Sequence, residues 1–279
     1  MEFTKMQGAG NDFIIINNLA ENIPLDKLPE LAKRLCTRRL SIGADGVMVI
    51  VPPEKGGDFA MLFYNSDGSL GEMCGNGARC ICRYGYEHGL AGEKQSVETT
   101  SGTVLGRRVD KRKYTVRLND PTVMLPRKTI LLDDRDYDCA YVELGSPGLP
   151  HCVLPMPDWD TLDIDSLRAL GRAMRFHRDF PKGANVTFVK LLSPTELKAV
   201  TFERGVEDFT LACGTGCGST VAALTLRGQV TGENVHVAMP GGDLYVTVTA
   251  KDGAVKDIML TGPTNVVCTG TVTDEDLVL

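Results

Sequence analysis

The sequence has 279 residues, 43% hydrophobic and 24% charged, with a formal net charge of −6. That is the balance of a globular protein with one or two domains. Lysine and arginine are scattered rather than clustered, which argues against nucleic acid or an anionic membrane as the main partner. No basic start leads into an apolar run and no stretch approaches ~18 apolar residues, so the expectation is a cytoplasmic protein without a membrane span.

In chain order, residues 13–17, 47–51 and 60–64 are short apolar or β-branched runs bounded by Gly, Pro, Asn and Asp, which predicts strands. Residues 25–35 carry a helical pattern containing Pro29. Residues 77–89 place Ala78, Cys82 and Tyr86 four apart, as one helical face requires. Residues 103–109 and 114–118 alternate around a short polar link and predict a hairpin. Further on, residues 164–174 and 216–226 read as helices.

The chain also matches itself. MCGNGARC around Cys74 recurs as ACGTGCGS around Cys213, 139 residues later, and GADGVMVI at Ala44 recurs as GANVTFVK at Ala184, 140 later. SGTVLGRRV at Gly102 resembles GGDLYVTVT at Gly242, and NDPTVML at Pro121 echoes TGPTNVV at Pro263. Four matches in one order at nearly constant spacing predict two copies of one fold. The expected class is α+β, with two pseudo-symmetric domains of mainly antiparallel sheet and one long helix each. Residues 1–121 with 265–279 form the N-terminal half and 122–264 the C-terminal half. The natural site for a duplicated fold of this kind is where its equivalent loops meet.

Nine cysteines without a secretion signal argue for thiols rather than disulfides. Cys36, Cys80, Cys82, Cys139, Cys152 and Cys268 read as small buried hydrophobes. The spacing of Cys213 and Cys217 suits zinc, but Cys74, Cys80 and Cys82 do not, and no nearby histidine completes a set, so no metal is expected. Cys74 and Cys213 stand apart, because each opens Cys-Gly-(Asn or Thr)-Gly ahead of a helix. Such helix starts carry free N–H groups that grip a carboxylate and are expected to lower a thiol's pKa. Two thiols on opposite faces of an amino acid's α-carbon could exchange its proton, with the N–H donors holding the charge that develops.

At these residues the chain resembles the diaminopimelate epimerase family. The matching stretches are MQGAGNDFIII, IGADGVMVI, YNSDGSLGEMCGNGARC, GLPHCV, FPKGANVTFV, FERGVEDFTLACGTG, MPGGDLYVTV and LTGPTNVV. The resemblance implies sheets wrapped around a central helix, a homodimer, no cofactor, and conversion of LL- to meso-diaminopimelate with Cys74 and Cys213 as the acid/base pair. By the same resemblance His151 and Glu203 support proton transfer. The implied substrate contacts are Asn11, Asn65, Gly75, Asn76, Asn185, Glu203, Arg204, Gly214 and Thr215. Read without the family, His151 fits a core position equally well, and Asn11 and Asn65 fit ordinary turn chemistry. Two positions depart from the family pattern: Leu149 stands where Asn usually precedes Pro-His, and Gly46 stands where some members have Gln. The competing functions are a related cofactor-independent racemase, for instance of histidine, and a thiol redox sensor.

Overall fold

The computed structural model describes residues 1–71, 74–159, 163–273, 275 and 277. The chain divides into two units, Met1–Val116 with Gly262–Leu279, and Arg117–Thr261. Unit 1 contains strands β1 (Glu2–Gly8), β2 (Asn11–Asn17), β3 (Gly46–Val51), β4 (Phe59–Asn65), β5 (Lys94–Thr99), β6 (Gly102–Arg108) and β7 (Lys113–Arg117). Its helices are α1 (Asn18–Glu21), α2 (Leu28–Cys36) and α3 (Gly75–Glu87). Unit 2 contains β8 (Pro121–Leu132), β9 (Arg135–Leu144), β10 (Leu149–Pro155), β11 (Asn185–Ser193), β12 (Glu196–Phe202), β13 (Phe209–Thr210), β14 (Val235–Met239), β15 (Gly242–Lys251) and β16 (Ala254–Pro263). Its helices are α4 (Ile164–Arg175) and α5 (Gly214–Leu226). The last strand, β17 (Asn265–Thr271), returns to unit 1 and pairs with β1.

The duplication is visible in the strand pairing. In unit 1 the order β17-β1-β2-β3-β4-β5-β6-β7 runs antiparallel, antiparallel, parallel, antiparallel, parallel, antiparallel, antiparallel. In unit 2 the order β8-β9-β10-β11-β12-β14-β15-β16 gives the same seven senses. Both parallel steps follow from a helical crossover, α2 or α4 at the first and α3 or α5 at the second, as parallel pairing demands.

The two crossover helices of each unit have different jobs. In α2 (LPELAKRLC) the buried residues Leu28, Leu31, Ala32, Leu35 and Cys36 share one stripe, so the helix covers one outer sheet face. They pack with Ile14, Ile16, Val47 and Val49. Pro29 is tolerated because it falls in the first turn of α2, and the predicted helix 25–35 is divided there, with Leu25–Lys27 forming a 3-10 turn. By contrast α5 (GTGCGSTVAALTL) has no polar face, and its residues from Gly214 to Leu224 are buried. It packs against β9, β10, β11 and β15 of its own unit, while α3 packs against β1, β2 and β6. Each sheet therefore curves around one helix, and that helix begins directly after Cys74 or Cys213.

Candidate active site

In unit 1 the site begins at the β1–β2 hairpin. Ala9 and Gly10 both have positive φ (52° and 93°), the signature of a tight two-residue turn, and Gly8 pairs with Asn11 across it. Gly8 must lack a side chain, since a Cβ there would lie 2.9 Å from the Asn76 carbonyl oxygen of α3. The turn thus brings Asn11 against the helix start, where Asn76 Nδ2 donates to Asn11 Oδ1 at 2.5 Å. Asn11 Nδ2 in turn donates to Asp45 Oδ2 at 3.2 Å. Asn65 ends β4, opposite Gly46, and its side chain donates to Ser69 Oγ at 3.0 Å. No larger residue fits at Gly46 unless Phe63 moves, because a Cβ would stand 2.4 Å from its ring. A glutamine at this position is therefore excluded by packing in this chain.

Unit 2 places its candidates at matching positions. His151 pairs with Asn185 across the parallel β10–β11 step, as Phe13 pairs with Gly46 in unit 1. Glu203 follows β12 as Asn65 closes β4, and continuing the β11–β12 register puts it opposite Asn185. Asn185 Oδ1 accepts from the Arg204 backbone N–H at 2.8 Å, and Glu203 Oε1 accepts from Thr210 Oγ1 at 2.6 Å. The Arg204 guanidinium donates to the Lys182 carbonyl at 3.1 Å. Nearby, Glu143 accepts from Tyr141 Oη at 2.6 Å and from Lys182 Nζ at 2.7 Å, a cluster with no signal in the sequence because Lys182 lies 39 residues from Glu143.

Both cysteines occupy the N-cap position of their helix in extended backbone conformation, followed by Gly75-Asn76 or Gly214-Thr215. The first intrahelical bonds run from Ala78 N–H to the Cys74 carbonyl (2.7 Å) and from Cys217 N–H to the Cys213 carbonyl (3.0 Å). These bonds mark the helix starts, and a helix start of this kind suits an anion. Cys213 Sγ accepts from the Gly216 N–H at 3.4 Å and lies 3.6 Å from Thr215 Oγ1.

The expected lowering of the thiol pKa does not hold at Cys213. Burial pushes it well above its ordinary value and the Glu203 carboxylate adds to that, outweighing the hydrogen bonds from Thr215 and Gly216 that act the other way. Cys213 is therefore a thiol at neutral pH. Cys74 is only partly buried. Cys80 and Cys82, fully buried in α3, are pushed up to about 12. His151 is also fully buried, and desolvation with the positive charge of Arg204 lowers its ring to about 3, so it is a neutral imidazole. Neither ring nitrogen has a hydrogen-bond partner among the described residues.

Sequence reasoning missed Arg79. It lies three residues after Asn76 in α3, is fully buried, and donates to Asn76 Oδ1 at 2.9 Å. A cation three residues after Asn76, in the first turns of α3, was the available signal.

The profile of the family described as diaminopimelate epimerase matches residues 3–123 and 145–267, leaving out most of the β8–β9 hairpin and a short stretch at each end of the sequence. The chain is 36% identical to the diaminopimelate epimerase of Aquifex aeolicus, over 99% of each protein. It is 37% identical to that of Methanothrix thermoacetophila, over 99% of this chain and 98% of the relative. The chain belongs to the diaminopimelate epimerase family. Among solved structures, a PhzF-family phenazine biosynthesis protein of Bacillus anthracis superposes with a TM-score of 0.72 at 13% identity, covering 97% of this chain and 98% of that one. A probable proline racemase of Agrobacterium radiobacter gives 0.68 at 17% identity, over 98% and 92%. Those two likenesses extend the two-unit fold beyond diaminopimelate epimerases. Family membership makes this chain an isomerase.

Proposed function

We infer that the protein converts LL-diaminopimelate to meso-diaminopimelate, with Cys74 and Cys213 as the acid/base pair acting on opposite faces of the α-carbon. One observation carries this reading: the duplicated fold delivers a cysteine to the same place twice, each at the N-cap of a buried helix, the kind of terminus that receives a carboxylate. The base takes the α-proton as a thiolate, and the opposite thiol returns a proton to the other face. Cys213 is suited to be that proton donor, since its burial keeps it protonated. Charge moves onto the α-carboxylate, where preorganised donors hold it without reorganisation.

The remaining residues divide by chemistry. Neutral His151 has two unsatisfied ring nitrogens, which supports a role in receiving a polar group of the bound substrate rather than carrying a charge. Glu203, on the edge beside Asn185 and electrostatically coupled to Cys213, suits the proton-transfer support the family implies. Asn11, Asn65, Asn76, Asn185 and Arg204 supply the mixed donors and acceptors a zwitterion needs, with Gly75, Gly214 and Thr215 at the helix starts. The reading calls for no cofactor. A homodimer in the cytoplasm completes it, and sedimentation of the purified protein tests the assembly.

The deciding experiment is exchange of the α-hydrogen of LL-diaminopimelate in D₂O under reducing conditions with no pyridoxal phosphate added. Deuterium should appear at Cα together with the meso isomer. Cys74→Ala and Cys213→Ala should each lower turnover by at least about 10³-fold, toward the upper part of the usual acid–base contribution, because one face loses its proton carrier. Turnover near the parent rate in either variant overturns the two-thiol mechanism.

A further inference from the structure

Asn11 and Asn76, both substrate contacts in the reading above, are hydrogen-bonded to each other. Such an amide pair has two polarities, depending on which oxygen faces which nitrogen, and each polarity shows the substrate a different arrangement of donors and acceptors. The groups at the two ends of the pair decide between them.

At one end stands Arg79. Its guanidinium has donors only, so Asn76 must turn its oxygen toward it, and it does so at 2.9 Å. Arg79 Nη1 also donates to the Gly75 carbonyl at 3.3 Å, holding the guanidinium one turn from Cys74. At the other end stands Asp45. An ionised carboxylate only accepts, so Asn11 must turn its amino group toward it. Three donors surround that carboxylate: Asn11 Nδ2, the Asp12 backbone N–H at 3.1 Å, and Arg38 Nη2 at 3.0 Å on the other oxygen. Reversing the pair would set N–H against guanidinium at one end and oxygen against carboxylate at the other. At the buried Arg79 end such a mismatch is strongly unfavourable, and the exposed Asp45 end adds a smaller bias in the same direction.

The duplicate half has no equivalent. At the matching positions, 138 or 139 residues later, Leu149 replaces Asn11, Thr215 replaces Asn76 and Gly218 replaces Arg79. The chain of polar contacts belongs to unit 1 alone.

We propose that Arg79 and Asp45 are positioning residues that set the polarity of the Asn11–Asn76 pair, leaving Asn11 with one acceptor lone pair and one N–H directed by that polarity for the substrate's ammonium and carboxylate groups. The proposal rests on the substrate-contact reading of Asn11 and Asn76. Neither Arg79 nor Asp45 touches the reacting atoms.

A double-mutant cycle on purified epimerase tests it, with far-UV circular dichroism and the melting temperature confirming the fold. Arg79→Met removes the cation at similar volume, and it should raise KM for LL-diaminopimelate about tenfold with kcat changed less than about threefold, the scale of one charge-assisted hydrogen bond. In an Asn76→Ala background Arg79→Met should have no further effect. Asp45→Ala should behave likewise, raising KM alone and falling silent in an Asn11→Ala background, and this arm decides the matter should Arg79→Met fail to fold. A folded Arg79→Met or Asp45→Ala with KM within about twofold of the parent overturns the proposal, as do effects that simply add to those of the asparagine variants. If Asn11→Ala and Asn76→Ala themselves leave KM unchanged, the substrate contacts fall and the polarity proposal falls with them. Large asparagine effects beside silent Arg79→Met and Asp45→Ala sink the polarity proposal alone.

Discussion

A fully buried, neutral histidine makes stability depend on pH in a defined direction. Unfolded, His151 takes up a proton near its ordinary value of 6.5, whereas in the fold it does so only near 3. Between those values the unfolded chain binds more protons, so the stability contribution is fully present above about 6.5 and is lost as pH falls toward about 3. From pH 7 to 4.5 the parent should lose about 2–3 kcal/mol more than His151→Gln, measured by urea unfolding at both pH values. Equal losses would show that the imidazole is not held neutral. The sequence placed His151 in an apolar stretch but could not separate a core histidine from a site histidine. It is fully buried, and it pairs with Asn185 across the parallel β10–β11 step. The cysteine pair was legible because it is repeated, while the pKa of Cys213 was not, because its depth beneath the sheet is a property of tertiary packing.

At the scale of elements, local pattern identified helices and short strands well, and boundaries moved by one to three residues. The long β8–β9 hairpin was invisible for a physical reason. Burial along β8 alternates between partial and full exposure with a single buried residue, Ile130, so no apolar run marks it. Its order comes instead from partners distant in sequence. Arg227, just past α5 with its side chain only 2% exposed, donates to the Pro126 carbonyl at 2.5 Å and the Cys139 carbonyl at 2.7 Å. It also makes a forked contact with both Asp138 oxygens at 3.0 Å. Arg227→Ala should therefore cost about 2–4 kcal/mol, because two carbonyls and a carboxylate lose their donor together. Asp138→Asn should cost less than about 1 kcal/mol, since that carboxylate is more than half exposed. Equal losses in urea unfolding would assign the stabilisation to the ion pair rather than to the carbonyl contacts.

For the whole molecule, the internal match at about 140 residues was the most informative reading, because it implied a duplicated fold before any element was assigned. In the structure unit 1 is interrupted, and its second segment begins at Gly262. Its strand β17 comes from residues 265–271 and lies beside β1, with Glu2 opposite Thr271. Unit 2 draws every strand of its own sheet from one continuous segment. A fragment of residues 117–261 should hence fold alone, whereas residues 1–116 should not until a peptide covering 262–279 is supplied. Circular dichroism of each fragment and of the mixture checks this, and a folded 1–116 fragment would show that β17 is dispensable.

The late arrival of β17 also sets the order in which the protein can mature on the ribosome. The second-made unit has all its strands while the first-made one still waits with β1 unpaired on one edge. Through that interval an exposed strand invites pairing with another nascent chain. Because Asn11 lies on β2, next to β1, its strand lacks this support until β17 has been made.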